Sequence, residues 1–288
     1  FVLMARAQVD ALLSPAEIAS SGGLTVVTTL DLNAQRAAER AVTDHLDRLA
    51  EQGSRGLGYN INNAALVALD PRNGAILAMV GSPDYAAEVH HGAINMAIVP
   101  RQPGSALKPL IYAAALDPSR PQPWTAATVL LDVKTSFITH DDLPYTPANY
   151  DGQEHGPVAI RQALASSLNI PAVLTLQEIG LPALFELGGK MGVSFRGSPA
   201  DYDLSLALGG GEVSLLSLSA AYGAFASGGY RVEPYALVEI RDQTGQVHYR
   251  HEPPLPRRVL DEIDAWLITD ILSDDMARAT GFGLHSVL

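Results

Sequence analysis

Apolar residues recur at helical spacing over residues 32–50, and Asp31 stands just ahead of them, placed to cap the first free amides of a helix. Upstream, residues 1–22 read as an amphipathic helix and then a second helix start at Ser14-Pro15-Ala16-Glu17, closed by Gly22-Gly23. Residues 24–30 are rich in Val and Thr and predict a strand. Residues 51–60 form a Gly-bearing polar loop. The clearest hairpin follows. Two apolar runs, 64–69 and 75–80, flank the turn residues Asp70-Pro71-Arg72-Asn73-Gly74. Both runs are almost continuously apolar, which predicts strands buried on both faces and covered by helices.

The second half reads as mostly helical. After a loop at 81–104, a helix is expected from Ser105 to about residue 116. Residues 117–157 are rich in Pro and Asp without clear periodicity, and an irregular stretch of that length is usually functional. Helices are expected at about 158–167, 171–179 and 182–187, the latter two ended by Gly180 and Gly188-Gly189. Gly209-Gly210-Gly211 precedes another at 214–227. A second hairpin spans 236–242 and 247–250 around Gly245, and a last helix covers 261–273.

Composition narrows the chemistry. The chain has 288 residues and a net charge of −12, with 16 Arg but 3 Lys. A chain this acidic, without a basic block, repels phosphate backbones, so nucleic acid is not an expected partner. The absence of cysteine removes disulfides, thiolate metal sites and a Cys nucleophile. No apolar run reaches the roughly 18 residues of a membrane span. Neither end carries a start signal or a polar tail, and both read as cuts in a longer protein.

Two short motifs carry the candidate chemistry. In Pro103-Gly104-Ser105-Ala106-Leu107-Lys108-Pro109, a helix starting at Ser105 puts that serine among free amides and Lys108 on the same face one turn on. A serine hydroxyl needs a base to take its proton. Lys108 can serve only when neutral, which requires its pKa to fall by roughly 3 units, about 4 kcal/mol, through burial. The apolar neighbours Ala106, Leu107, Leu110 and Ile111 are suited to that. Alone the motif is weak, since a helix cap beside a solvated lysine reads the same way. The second motif is Ser166-Ser167-Leu168-Asn169-Ile170-Pro171, where one helix ends and Pro171 starts the next. It places the Ser167 hydroxyl and Asn169 amide in a break, able to relay a proton and hold a carbonyl or the lysine.

Ser-x-x-Lys followed by Ser-x-Asn is the pattern of penicillin-binding proteins and serine β-lactamases. Residues 101–112, from Arg101-Gln102-Pro103 to Leu110-Ile111-Tyr112, resemble the nucleophile segment of class A penicillin-binding proteins. Similar resemblances are carried by Leu24-Thr25-Val26-Val27-Thr28-Thr29-Leu30-Asp31, by the hairpin from Ala68-Leu69-Asp70-Pro71 to Ala78-Met79-Val80-Gly81, and by Ala207-Leu208-Gly209-Gly210-Gly211-Glu212-Val213-Ser214. Together they cover nearly the whole chain. The resemblance implies an α+β fold of the penicillin-binding protein/serine β-lactamase type, with an antiparallel sheet packed against a helical cluster, the active site between them, and the C-terminal strands missing. It implies a peptidoglycan DD-transpeptidase in which Ser105 attacks a D-Ala-D-Ala stem peptide, Lys108 is its base, and Ser167 and Asn169 assist proton transfer and hold the substrate. Its partners would be stem peptides of lipid-linked peptidoglycan precursors, with β-lactams as covalent inhibitors and no cofactor or metal. The parent protein would be a membrane-anchored glycosyltransferase as well, working on the extracytoplasmic face of a bacterial membrane. Residues 1–22 would then be the tail of that glycosyltransferase or a linker, 23–62 a linking strand and helix, and 63–288 the transpeptidase domain.

One motif departs from the family. After Asn169 the only lysine is Lys190, followed by Met191, so no Lys-Thr-Gly is present there. Lys134-Thr135-Ser136 lies on the wrong side of Ser167 and reads as a loop coincidence. The resemblance therefore implies a domain cut before its third motif, with activity impaired by loss of an oxyanion donor, typically about 10² to 10³ in rate, and an open sheet edge. A β-lactamase-like hydrolase and a non-catalytic penicillin-recognising or interaction domain are the alternative readings. His90-His91 lack a third ligand at metal spacing. Asp141-Asp142 and Asp274-Asp275 read as solvated faces, and Gly209-Gly210-Gly211 as close packing near the site rather than a phosphate loop.

Overall fold

Asp31 does cap the helix the periodicity predicts: in the computed structural model its carboxylate accepts from the amides of Asn33 and Ala34. The structure describes residues 1–52, 59–139, 142–284 and 286. Most of the predicted 51–60 loop, Asp141 and part of the C-terminal segment lie outside the described residues. In chain order the elements are α1 (Val2–Leu12), α2 (Pro15–Ser20), β1 (Leu24–Thr28), α3 (Leu32–Glu51), β2 (Leu66–Leu69), β3 (Ile76–Val80), α4 (Lys108–Leu116), β4 (Val129–Asp132), β5 (Phe137–Ile138), β6 (Pro144–Tyr145), β7 (Gly156–Ala159), α5 (Ile160–Ala165), α6 (Asn169–Ile179) and α7 (Leu181–Met191). They continue with α8 (Leu215–Ala226), β8 (Tyr230–Arg231), β9 (Leu237–Asp242), β10 (Val247–Arg250), β11 (Arg257–Arg258), α9 (Glu262–Leu272) and α10 (Asp275–Phe282). The chain divides into two compact units: Phe1–Val99, Ser214–Ala220 and Val232–Pro256 form one, and the remaining described segments form the other.

In the first unit, β1, β9 and β10 make an antiparallel sheet in that order, with Val26 opposite Ile240. The sequence shows β9 and β10 as a hairpin, but β1 joins β9 across more than 200 residues, a pairing no local pattern announces. Leu237 and Ile240 of β9 pack on Ala5, Val9 and Leu13 of the N-terminal segment. The β2–β3 hairpin is antiparallel, with Ala78 and Val80 against Ala38 and Val42 of α3. The expected burial holds for β3 at Ile76, Ala78, Met79 and Val80, while Leu77 is half-buried. It fails for β2, all of whose residues are half-buried. Among the described residues β2 has one strand neighbour, β3, and so presents its other edge. The far edge of β3 is satisfied partly by backbone, the Leu77 carbonyl accepting from the Asp31 amide at 2.9 Å, and partly by a side chain. Gln35 Oε1 accepts from the Met79 amide at 2.8 Å, and Gln35 Nε2 donates to the Met79 carbonyl at 3.2 Å.

The second unit is built around α4, every residue of which is buried. It packs against α5, α6, α7 and α9. A helix surrounded on all sides is apolar all round, which is why α4 lacks a polar stripe. Residues 117–157, predicted irregular, contain short strands: β4 pairs with β7, and β5 with β6, both antiparallel. These pairs are too short to show a period of two. The predicted helix start at Ser105 moves to Lys108, and Gly104–Leu107 form a 3-10 turn. Pro109 is the cause: without an N–H it cannot bond the Ser105 carbonyl, which instead accepts from the Lys108 amide. The helix expected to begin at Pro171 begins at Asn169, with the proline inside its first turn, where its missing donor costs little. The stop expected at Gly188-Gly189 is passed, and α7 ends at Gly192, whose φ of 89° supplies the left-handed turn. Helix α10 was not anticipated. Asp274, read as a solvated face, caps it by accepting from the Ala277 amide and also takes a 3.0 Å bond from Arg161.

Candidate active site

All four residues singled out by the two motifs belong to the second unit. Ser105 sits exposed in the 3-10 turn. The turn is anchored by Leu107, fully buried, and by the Tyr222 hydroxyl, which donates to the Ala106 carbonyl at 2.8 Å. It also rests on the glycine triplet. A Cβ at Gly209 would lie 2.3 Å from the Gly104 amide nitrogen, so the two backbones meet where no side chain fits. This is the close packing expected of Gly209-Gly210-Gly211.

Lys108 begins α4 and is 1% exposed. Its Nζ donates to the Ser167 carbonyl at 2.6 Å, the Asn169 Oδ1 at 2.8 Å and the Ser167 hydroxyl at 3.1 Å. Burial pulls its pKa down to about 7. The partial positive charge at the start of α4 acts in the same direction, while three acceptors favour the cation and oppose it. Near neutral pH this amine can therefore take up or give back a proton. No hydrogen bond joins it to the Ser105 hydroxyl.

Ser167 owes its position to the end of α5. The Leu168 amide bonds the Ala163 carbonyl, and the Ser167 amide bonds the Leu164 carbonyl. That is a Schellman ending with Ser167 at the residue that turns left-handed, φ 55°. Glycine is usual there, and a serine carries strain of order 1–3 kcal/mol. The conformation aims both the carbonyl and the hydroxyl of Ser167 at Lys108. Asn169, one residue beyond the break, spends Nδ2 on the Ala148 carbonyl at 2.7 Å, which leaves Oδ1 for Lys108.

A cavity of about 470 Å³ is lined by Ser105, Ser167 and Asn169, together with Tyr150, Asp151 and Phe282. The structure thus brings Lys108, Ser167 and Asn169 into direct contact and sets Ser105 on the same cavity. Tyr150 and Asp151 escaped the sequence reading because Asn149-Tyr150-Asp151-Gly152 looks like ordinary turn chemistry. Phe282 escaped it along with α10. Lys134-Thr135-Ser136 lies in the loop between β4 and β5, apart from the residues lining the cavity. His90 closes a 3-10 turn, and among the described residues no three ligating side chains cluster to hold a metal.

Residues 64–286 match the family model of the penicillin binding protein transpeptidase domain. The chain belongs to that family. Among its relatives is penicillin-binding protein 1A of Neisseria meningitidis, 32% identical over 276 residues, which covers 88% of this chain and 33% of the relative. Penicillin-binding protein 1B of Vibrio cholerae is 31% identical over 270 residues, 93% of this chain and 33% of the relative. The chain therefore spans about a third of the length of these curated relatives. Its fold is similar to penicillin-binding protein 1A from Haemophilus influenzae, with a TM-score of 0.78 over 96% of this chain and 57% of that one at 23% identity. The α+β architecture of this penicillin-binding domain is thus the one its sequence resemblance implied.

Proposed function

We propose that this domain is the acyl-serine transpeptidase of a peptidoglycan synthase. The observation that carries the reading is Lys108: a buried amine with its pKa near 7, held by Ser167 and Asn169 beside the cavity that Ser105 lines. Ser105 Oγ attacks the carbonyl between two D-alanines of a stem peptide, and its proton passes to Lys108 Nζ. The C–N bond breaks, the departing D-alanine amine takes a proton by way of the Ser167 hydroxyl, and an ester to Ser105 remains. An amino group from a second stem peptide then attacks the ester, forms the cross-link and frees Ser105. A β-lactam acylates the same serine by opening its ring amide. No cofactor or metal takes part.

On this reading the parent protein is membrane-anchored, also a glycosyltransferase, and works on the extracytoplasmic face of a bacterial membrane. The division proposed from the sequence, 1–22, 23–62 and 63–288, is kept, and the family match at residues 64–286 falls inside the last part. These 288 residues hold no Lys-Thr-Gly after Asn169, and by themselves they acylate slowly. The test accordingly uses the full-length protein and a fluorescent penicillin. Labelling is expected to vanish in Ser105→Ala, and its rate in the wild type to rise with pH through about 7 as Lys108 loses its proton. Equal labelling of Ser105→Ala and wild type would sink the assignment.

A further inference from the structure

We infer that Asn149, clamped by Asp132 and His155, is the positioning group of the Ser-x-Asn segment: it caps α6 from outside the helix and thereby holds Asn169 against Lys108. The inference rests on the transpeptidase reading but concerns residues that neither motif contains.

Helix α6 has no cap from its own preceding residue, Leu168. The amide of Asn169 is instead satisfied by Asn149 Oδ1 at 2.8 Å, twenty residues upstream. The neighbouring Ala148 carbonyl accepts from Asn169 Nδ2 at 2.7 Å. Residues 148 and 149 thus grip Asn169 at its backbone nitrogen and its side-chain nitrogen. With Nδ2 engaged, the side-chain amide cannot turn over, and Oδ1 faces Lys108 Nζ at 2.8 Å. An amide pinned at two points has lost the rotamer freedom that would let the acceptor drift.

Asn149 is itself immobilised. It is 6% exposed, and its Nδ2 donates to Asp132 Oδ2 at 2.8 Å, Asp132 Oδ1 at 3.0 Å and the Gln153 carbonyl at 2.8 Å. Asp132 is fully buried at the end of β4, where it pairs with Gly156 of β7. It also accepts from the His155 amide at 3.1 Å and meets His155 Nδ1 at 2.6 Å. The other ring nitrogen reaches Asp151 Oδ2 at 3.2 Å, and Asp151 lines the cavity. A continuous path of hydrogen bonds runs from the cavity wall through His155, Asp132, Asn149 and Asn169 to Lys108. Burying a carboxylate is costly unless every oxygen is engaged, and here Asn149 and His155 together engage both oxygens of Asp132. The pairing of β4 with β7 sets Asp132 opposite Gly156, the residue after His155.

The experiment measures the second-order rate of acylation by a fluorescent penicillin in the full-length protein from pH 5 to 9. Asn149→Ala, with its fold checked by thermal melting, is expected to lower the plateau rate at least tenfold. It should also move the acidic midpoint downward, because a fixed acceptor favouring the charged form of Lys108 is lost. His155→Ala should act in the same direction, and His155→Asn, which keeps a donor where Nδ1 meets Asp132, should recover most of the lost rate. A midpoint that stays put or moves upward in Asn149→Ala overturns the inference, whatever the rate. Should that variant not fold, identical profiles for His155→Ala and His155→Asn overturn it instead. The Ser105→Ala control separates the two claims: if it labels, the transpeptidase reading fails, and if it is silent while Asn149→Ala keeps the wild-type profile, only the clamp fails.

Discussion

The left-handed backbone of Ser167 joins structure to chemistry in one residue. Its φ of 55° costs stability, and the same turn points two oxygens at Lys108. Ser167→Gly removes both the strain and the hydroxyl. Thermal unfolding should show the variant more stable by about 1 kcal/mol, while acylation should fall by about 10² or more if the hydroxyl carries the proton relay proposed for it. A variant that is less stable than wild type would show that the serine is not strained. The residue types at this site were legible in the sequence: Ser105, Lys108, Ser167 and Asn169 are named by two motifs in the right order. Their conformation was not, because a serine in a position that glycine usually fills leaves no trace in a pattern of residue types.

At the level of elements, the turn that carries Ser105 depends on a backbone contact with a distant loop. Gly209, at φ 83°, lies against Gly104, and a Cβ there would approach the Gly104 Cα to 2.4 Å. Neither segment can yield easily, since both atoms are main chain. Gly209→Ala is expected to cost about 2–4 kcal/mol in a melting experiment and to slow penicillin acylation at least tenfold by displacing Ser105. Unchanged acylation would mean that the triplet merely closes a loop. The sequence marked this triplet as a packing device, but not its partner. It also missed the 3-10 start ahead of α4, although the reason was in view: Pro109 withholds the amide that the Ser105 carbonyl would need. Helix α10 was hidden because its capping residue, Asp274, sits in an Asp-Asp pair that reads equally well as a solvated face.

For the molecule as a whole, the buried carboxyl of Asp264 ties stability to pH. It is 6% exposed, and burial, with Asp261 and Asp117 nearby, pushes its pKa up to about 7 from 3.8. A group raised on folding stabilises the fold fully below its unfolded value, and that stabilisation is lost as pH rises through about 7. Asp264→Asn should therefore melt several degrees above wild type at pH 8, worth up to about 4 kcal/mol, and close to wild type at pH 4. Equal melting temperatures at pH 8 would show that the carboxyl is not held out of water. The sequence by itself determined most of the helices, α10 excepted, both hairpins, the order of the two motifs and the family. These are local properties, written in neighbouring residues and their spacing. Only the tertiary structure decided that β1 lies on β9, that Asn149 reaches twenty residues forward to cap α6, and that Lys108 is buried against Ser167 and Asn169. Those contacts join residues far apart along the chain, and it is burial, a property of the folded whole, that brings the pKa of a lysine with an ordinary side chain down to about 7.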